Sequence, residues 1–209
     1  MSGVRSDISW WLELDPSEWL VVPTTGDVGW RAEAIHRVRR DLDDREESDA
    51  PPEDVRDDDI AERAVDGLLA FAATMAADGL TVAAVGVPER TPVPVVVTVA
   101  VIDEHDPVDL LEVCGARAGA SFDAPEVEYL DLDAGDGIRV TRVDVDTAAV
   151  ARMSVCLGVR SELTVTVIRW RSTEIAIVAE MTERLDRLLA GVRIDAGTRN
   201  DAGTEDQRT

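Results

Sequence analysis

The chain contains no lysine. All 21 basic side chains are arginines, against 43 aspartates and glutamates, so the formal net charge is -22. A chain with this charge repels a phosphate backbone or an anionic lipid surface, and we therefore expect neither nucleic acid nor a membrane as a partner. The missing lysine, with abundant Ala, Val, Asp and Arg, is typical of a GC-rich genome such as that of an actinobacterium, although the surplus of aspartate also fits a high-salt cytoplasm.

Long hydrophobic runs and cysteines are scarce as well. No stretch holds the roughly 18 uninterrupted apolar residues of a membrane span, and the N-terminus lacks the basic and apolar regions of a signal peptide. Cys114 and Cys156 are the only cysteines, and both have apolar neighbours in the sequence. They are predicted to be buried free thiols rather than part of a disulfide framework. Together these features predict a cytoplasmic location.

No motif of a common enzyme class is present. The sequence lacks a phosphate-binding loop with its lysine, a G-x-S-x-G elbow and a nucleotide-binding fingerprint, and only His36 and His105 could serve as an imidazole base. We therefore predict a non-enzymatic protein-binding domain, such as an adaptor, a chaperone or an immunity-like protein. Paired carboxylates have no fixed spacing, so a small carboxylate-dependent hydrolase or a small-ligand-binding domain is the alternative.

Apolar segments are spread along the chain and predict a single domain over residues 1–194. Residues 43–58 are rich in acids and include two prolines, and residues 195–209 are polar. Neither stretch can bury enough apolar surface to offset the entropy of ordering, so we predict a disordered acidic insert and a disordered tail. The insert is interpreted as a solvated loop, with mimicry of a polyanion or contact with a basic partner as the alternative.

The apolar periodicity predicts an α+β fold, in which an antiparallel sheet carries packed helices and the last helix is amphipathic. Its strands are joined by hairpins, and its helices are inserted singly. The strands are predicted within residues 8–22, which hold two short strands or one strand broken by a turn, and at 80–87, 93–102, 127–132, 138–145, 151–159 and 163–168. The helices are predicted at 30–42, 59–79, from Asp106 to near Gly115 or Gly119, and from Glu174 to Leu188.

Two acidic turns were candidates for metal binding. Residues 103–106 read Asp-Glu-His-Asp, but consecutive side chains on one turn point in different directions. We interpret this segment as a solvated turn in which Asp106 caps a helix whose first residue is Pro107. Residues 131–137 place Asp136 where a calcium loop requires glycine, so we interpret them as a hairpin turn. We predict no metal and no cofactor.

Four of the five tryptophans lie near the N-terminus, at Trp10, Trp11, Trp19 and Trp30. The adjacent Trp10 and Trp11 should face opposite sides of a strand. The four rings either pack beneath the first helices or form a partner-binding patch, because tryptophan is enriched at interface hot spots. They are our candidate partner-binding residues. The expected partner is a protein that is basic or apolar at its contact face.

The N-terminal segment also carries a resemblance to a known family. The strand at residues 8–14, followed by Pro16 and Trp19, resembles the opening of the Mog1/PsbP-like proteins, in which a strand meets a P-x-x-W turn. The C-terminal order of two strands, an amphipathic helix and a short apolar end at 189–194 is similar too. Uncharacterised actinobacterial proteins look similar through a helix such as 64–77 and a G-x-x-x-R hairpin, here at 135–139.

The resemblance implies a function in protein binding, as an adaptor, a chaperone or a secretion-accessory protein. It supplies no catalytic residue. The long acidic insert departs from the family pattern, and the absence of a signal or lipobox sets the chain apart from the secreted lipoprotein members.

Overall fold

An antiparallel sheet of seven strands forms the centre of the molecule, and helices pack on both of its faces. This arrangement confirms the predicted α+β class. The computed structural model describes residues 8–23, 28–46, 57–76, 80–86, 91–102, 108–117, 121–133, 135–145 and 149–196. In these parts of the chain, no helix is long and apolar enough to cross a membrane.

The strands follow the predicted segments, with one addition at the C-terminus. They are β1 (Ile8–Leu12), β2 (Trp19–Val22), β3 (Thr81–Val85), β4 (Val93–Val101), β5 (Glu126–Leu132), β6 (Gly135–Val145), β7 (Ala151–Arg160), β8 (Thr164–Ser172) and β9 (Val192–Ala196). The large sheet has the order β2-β3-β4-β8-β7-β6-β5. The added strand β9 pairs with β1 as a separate antiparallel ribbon, which brings the two ends of the described chain together.

The helices are α1 (Val28–Glu46), α2 (Asp57–Ala76), α3 (Leu110–Val113) and α4 (Val178–Ala190). Both α1 and α2 extend into the segment that we predicted to be an acidic insert. The remaining residues of that segment, 47–56, lie outside the described residues, as do the tail residues 197–209.

The two faces of the sheet are separated by the alternation of side chains along each strand. On one face, the even-numbered Ile168 and Trp170 of β8 pack against Leu185 and Leu188 of α4. A buried side chain of this size contributes about 1.5–3 kcal/mol relative to an exposed one. The opposite face is covered in two places, by α2 near β2 and β3 and by α3 near β6, β7 and β8.

Three local predictions need correction. The N-cap of α3 is Asp109, whose side chain accepts a hydrogen bond from the Leu111 N–H at 2.9 Å, whereas the predicted Asp106 and Pro107 lie outside the described residues. α4 begins later than predicted, because a 3-10 turn (Ile175–Ile177) precedes it. The hairpin turn between β5 and β6 is shorter than predicted, since Leu132 already pairs with Gly135.

Candidate functional site: an arginine-lined cleft

A cleft of about 690 Å³ opens on the sheet face opposite α4. It lies between the part of this face that α2 covers and the part that α3 covers. Strands β4, β6, β7 and β8 form its floor. Phe71 of α2 lies on one side, and Val113 to Gly115 at the end of α3 lie on the other. This volume lies within the range of sites that hold small molecules.

Four arginines line this cleft: Arg142 of β6, Arg152 of β7, and Arg169 and Arg171 of β8. The strand register explains their common position, because Ser154 of β7 pairs with Arg142 on one side and Arg171 on the other. Residues directly opposite in neighbouring strands face the same side of a sheet.

Among the residues that the structure describes, Asp144 is the one acid in the lining. The cleft is therefore locally positive, although the whole chain carries a charge of -22. We call these four arginines the arginine cluster.

Two members of the arginine cluster are held by α3. Arg142 donates to the Gly115 carbonyl and, through Nε and Nη2, to Asp144 Oδ1 at 3.1 and 2.6 Å. Arg169 donates from Nη2 to the Val113 carbonyl at 2.9 Å. These bonds satisfy carbonyls that the end of a helix leaves without partners, and they fix the direction of both guanidinium groups.

Arg171 differs from these two. Its side chain is exposed in the cleft, and it forms no hydrogen bond or ion pair with any residue that the structure describes. Its five N–H donors are therefore available to a ligand, in addition to the donors that Arg142 and Arg169 leave unused.

Both cysteines lie in the floor of the cleft. Cys114 and Cys156 are buried and free, which confirms the sequence prediction, and they also belong to one buried cluster. A hydrogen bond between the two thiols raises the pKa of Cys114 and lowers that of Cys156, and the nearby Arg169 guanidinium lowers the pKa of Cys156 further. The pair and the arginine cluster thus share one site.

The structure separates the four candidate tryptophans. Trp19 is 3% exposed in the core beneath α4, and Trp10 packs against the same core. Trp30 packs on the other side of the sheet, where α1 and α2 meet. Trp11 is 50% exposed on the ribbon of β1 and β9. They do not form one patch.

The other sequence candidates are placed as follows. His36 is exposed on α1, while His105 and the rest of residues 103–106 lie outside the described residues. Within the described ranges, no three His, Cys, Asp or Glu side chains are grouped to hold a metal, and no aspartate or glutamate is buried.

Sequence reasoning missed the arginine cluster. One signal was present, because Arg169 and Arg171 are two positions apart and so face the same side of a strand. Arg169 and Arg171 lie near Arg142 and Arg152 only because β8 pairs with β7. The other wall of the cleft is α3, a helix of only four residues, which is too short to give a clear sequence pattern.

Comparison with known proteins gives no further assignment for this site. No model of a protein family matches the chain, and no curated protein matches its sequence.

Proposed function

We propose that this protein is a binding domain that takes up an anionic small molecule in the arginine-lined cleft. The arginine cluster is the observation that carries the proposal: four guanidinium groups face one cleft, and the described part of its lining contains a single carboxylate, that of Asp144. Guanidinium groups match phosphate and carboxylate groups because two parallel N–H donors can bind two oxygens at once.

The charge balance within the cleft supports a ligand rather than a purely structural role. Asp144 already accepts two bonds from Arg142, and it cannot neutralise the whole cluster. Arg171 is exposed at the same site and has no partner among the described residues. Elsewhere in the structure, exposed arginines such as Arg31 and Arg193 are paired with acids. An exposed arginine without an acid partner among the described residues, in a chain so rich in carboxylates, is best explained by an anion that binds there.

The remaining lining indicates what else the ligand carries. Phe71, Val96 and Val113 supply apolar surface, and Ser154 and Thr173 supply hydroxyl groups. A molecule with one or two anionic groups and an apolar or ring-shaped body would satisfy both kinds of lining. Small-ligand binding was the alternative to protein binding in the sequence analysis, and the geometry of the cleft now favours it.

Protein binding is a second proposal, and one observation favours it. β5 is the last strand of the large sheet and pairs only with β6 among the described strands. Its Tyr129 is 74% exposed. An extended segment of a partner protein could add to such an edge through main-chain hydrogen bonds.

Isothermal titration calorimetry with pyrophosphate, and with citrate as a carboxylate probe, tests the first proposal. Arg171→Ala is the critical variant, because Arg171 supports no other described residue and its removal should leave the fold intact. Loss of a hydrogen bond to a charged group predicts roughly tenfold weaker binding. Arg193→Ala is the matched control, since it removes the same charge from the ribbon of β1 and β9, outside this cleft.

Site-specific binding requires the two variants to differ. An equal loss of affinity in Arg171→Ala and Arg193→Ala would show only general charge attraction. If neither probe binds the unmodified protein at low ionic strength, the proposal is wrong.

A further inference from the structure

The only two cysteines of the chain, Cys114 and Cys156, are far apart in the sequence but both lie in the floor of the arginine-lined cleft. Cys156 lies on β7, and Cys114 is the residue that ends α3. They are 7% and 5% exposed and share one buried cluster.

Gly158 provides the space in which the thiols meet. It lies two positions after Cys156 on β7 and therefore faces the same side of the sheet. A Cβ atom at position 158 would lie 2.6 Å from Cys114 Sγ and 3.4 Å from Leu110 Cδ2. Only glycine at this position allows α3 to lie close enough to the strand for Cys114 to reach Cys156.

The surroundings of the two thiols give them different reactivities. The pKa of Cys156 is lowered, chiefly by hydrogen bonding with the Cys114 thiol and also by the positive charge of Arg169, although burial acts in the opposite direction. Cys114 keeps its proton, because donation to Cys156 and burial both raise its pKa. A reactive thiolate next to a second thiol is the arrangement that converts an oxidised cysteine into a disulfide.

We propose that Cys114 and Cys156 form an oxidation-sensitive pair, which a peroxide converts into a disulfide between α3 and β7. The Cys156 thiolate attacks one peroxide oxygen, the O–O bond breaks, and hydroxide leaves, so that Cys156 becomes a sulfenic acid. Cys114 then loses its proton and attacks the Cys156 sulfur, and the sulfenic oxygen leaves as water. The two thiols lose two electrons in total, and the peroxide gains them. A peroxide is small enough to reach thiols that are only slightly exposed.

The disulfide would also regulate the cleft, and this half of the proposal rests on the proposed function. In the reduced protein, the positive charge of Arg169 stabilises the Cys156 thiolate. A disulfide sulfur carries no charge, so after oxidation the positive charge of Arg169 is available to an anionic ligand. Cys114 also lies between Val113 and Gly115, whose carbonyls hold Arg169 and Arg142. Oxidation is therefore expected to strengthen anion binding several-fold.

The test treats the purified chain with hydrogen peroxide and applies two separate measurements. Intact-mass spectrometry after alkylation in denaturant reports the disulfide, as a mass loss of about 2 Da and two thiols that no longer react. Calorimetric titration with pyrophosphate, before and after oxidation, reports the cleft. Cys114→Ser is the matched variant, because it keeps the reactive Cys156 and removes its partner. In that variant we expect oxygen to be added to Cys156, with no internal disulfide and no gain in affinity.

The two measurements separate the possible failures. Two thiols that remain alkylatable after oxidation, or that gain oxygen independently, would overturn the proposed pair whatever the cleft binds. A disulfide that leaves the pyrophosphate affinity unchanged would overturn the regulation alone. A disulfide in a protein that binds neither pyrophosphate nor citrate in either state would refute the proposed function and the regulation with it, while the thiol pair would stand.

Discussion

Glu18 and Arg187 are 169 positions apart in the sequence, yet Arg187 Nη2 donates to Glu18 Oε1 at 2.6 Å. Arg184 donates to the same oxygen at 3.1 Å. Glu18 belongs to the turn between β1 and β2, and both arginines belong to α4. This carboxylate therefore fastens the N-terminal turn to the helix that covers the core.

Replacing Glu18 tests the strength of this link. Its side chain is only 21% exposed, so solvent screens the two ion pairs less than on an open surface. We expect Glu18→Gln to lower the free energy of unfolding by about 1 kcal/mol, as measured by urea denaturation. Asp123→Asn removes the same charge from an exposed position and serves as the control. If both substitutions lower the free energy of unfolding equally, the effect comes from net charge and not from the link between Glu18 and α4.

The sequence predicted the sheet well where each strand shows its own pattern. β7 and β8 alternate apolar and polar residues, and β3 and β4 are short β-branched runs, so their positions follow from local periodicity. The strand order could not be predicted in this way. β4 pairs with β8 across one helix and three intervening strands, and no local feature of either strand specifies that partner.

The ribbon of β1 and β9 shows the same limit. Residues 189–194 were predicted only as a short apolar end, because β9 (Val192–Ala196) is too brief to show a clear alternation. Its pairing depends on Gly191, where a Cβ atom would lie 2.6 Å from the Glu13 carbonyl oxygen. The close approach of two segments so distant in the chain is a tertiary property.

Gly158 offers a second test, independent of any ligand. We expect Gly158→Ala to destabilise the protein by about 1–3 kcal/mol, since the added methyl group overlaps Cys114 Sγ and would push α3 from the sheet. Gly67→Ala is the control: Gly67 lies in α2, and nothing lies within 4 Å of an added Cβ. That substitution should instead stabilise the helix by about 0.5–1 kcal/mol. Urea denaturation measures both, and a neutral Gly158→Ala would contradict the close packing of α3 on β7.

Asp15 provides a test by pH. Its Oδ1 accepts hydrogen bonds from the Ser17 hydroxyl at 2.7 Å and from the Ser17 N–H at 2.8 Å, and these bonds hold the pKa of Asp15 below its ordinary value of 3.8. A carboxyl whose pKa is lower in the folded state stabilises the fold above its unfolded pKa, and this contribution is lost as the pH falls through the folded pKa. Ser17→Ala should therefore move the pKa of Asp15 back towards 3.8, as followed by carboxyl carbon NMR. An unchanged pKa would show that the hydroxyl has no part in the turn.

Two tryptophans give a further test, because the structure places Trp11 and Trp19 in opposite environments. Trp19 is 3% exposed and Trp11 is 50% exposed. We expect Trp19→Ala to cost about 3–5 kcal/mol in the free energy of unfolding, as for other buried aromatic side chains. Trp11→Ala should cost much less, since half of its surface already meets solvent.

The Trp11→Ala variant also tests the proposed role in protein binding. If Trp11 contacts a partner, Trp11→Ala will fold normally but will retain less of that protein in affinity purification from the native host, because truncating a hot-spot tryptophan typically weakens an interface by about 2 kcal/mol or more. Tyr129→Ala tests the edge of β5 in the same way. If both variants retain the same partner in the same amount as the unmodified protein, Trp11 and Tyr129 are not contact residues.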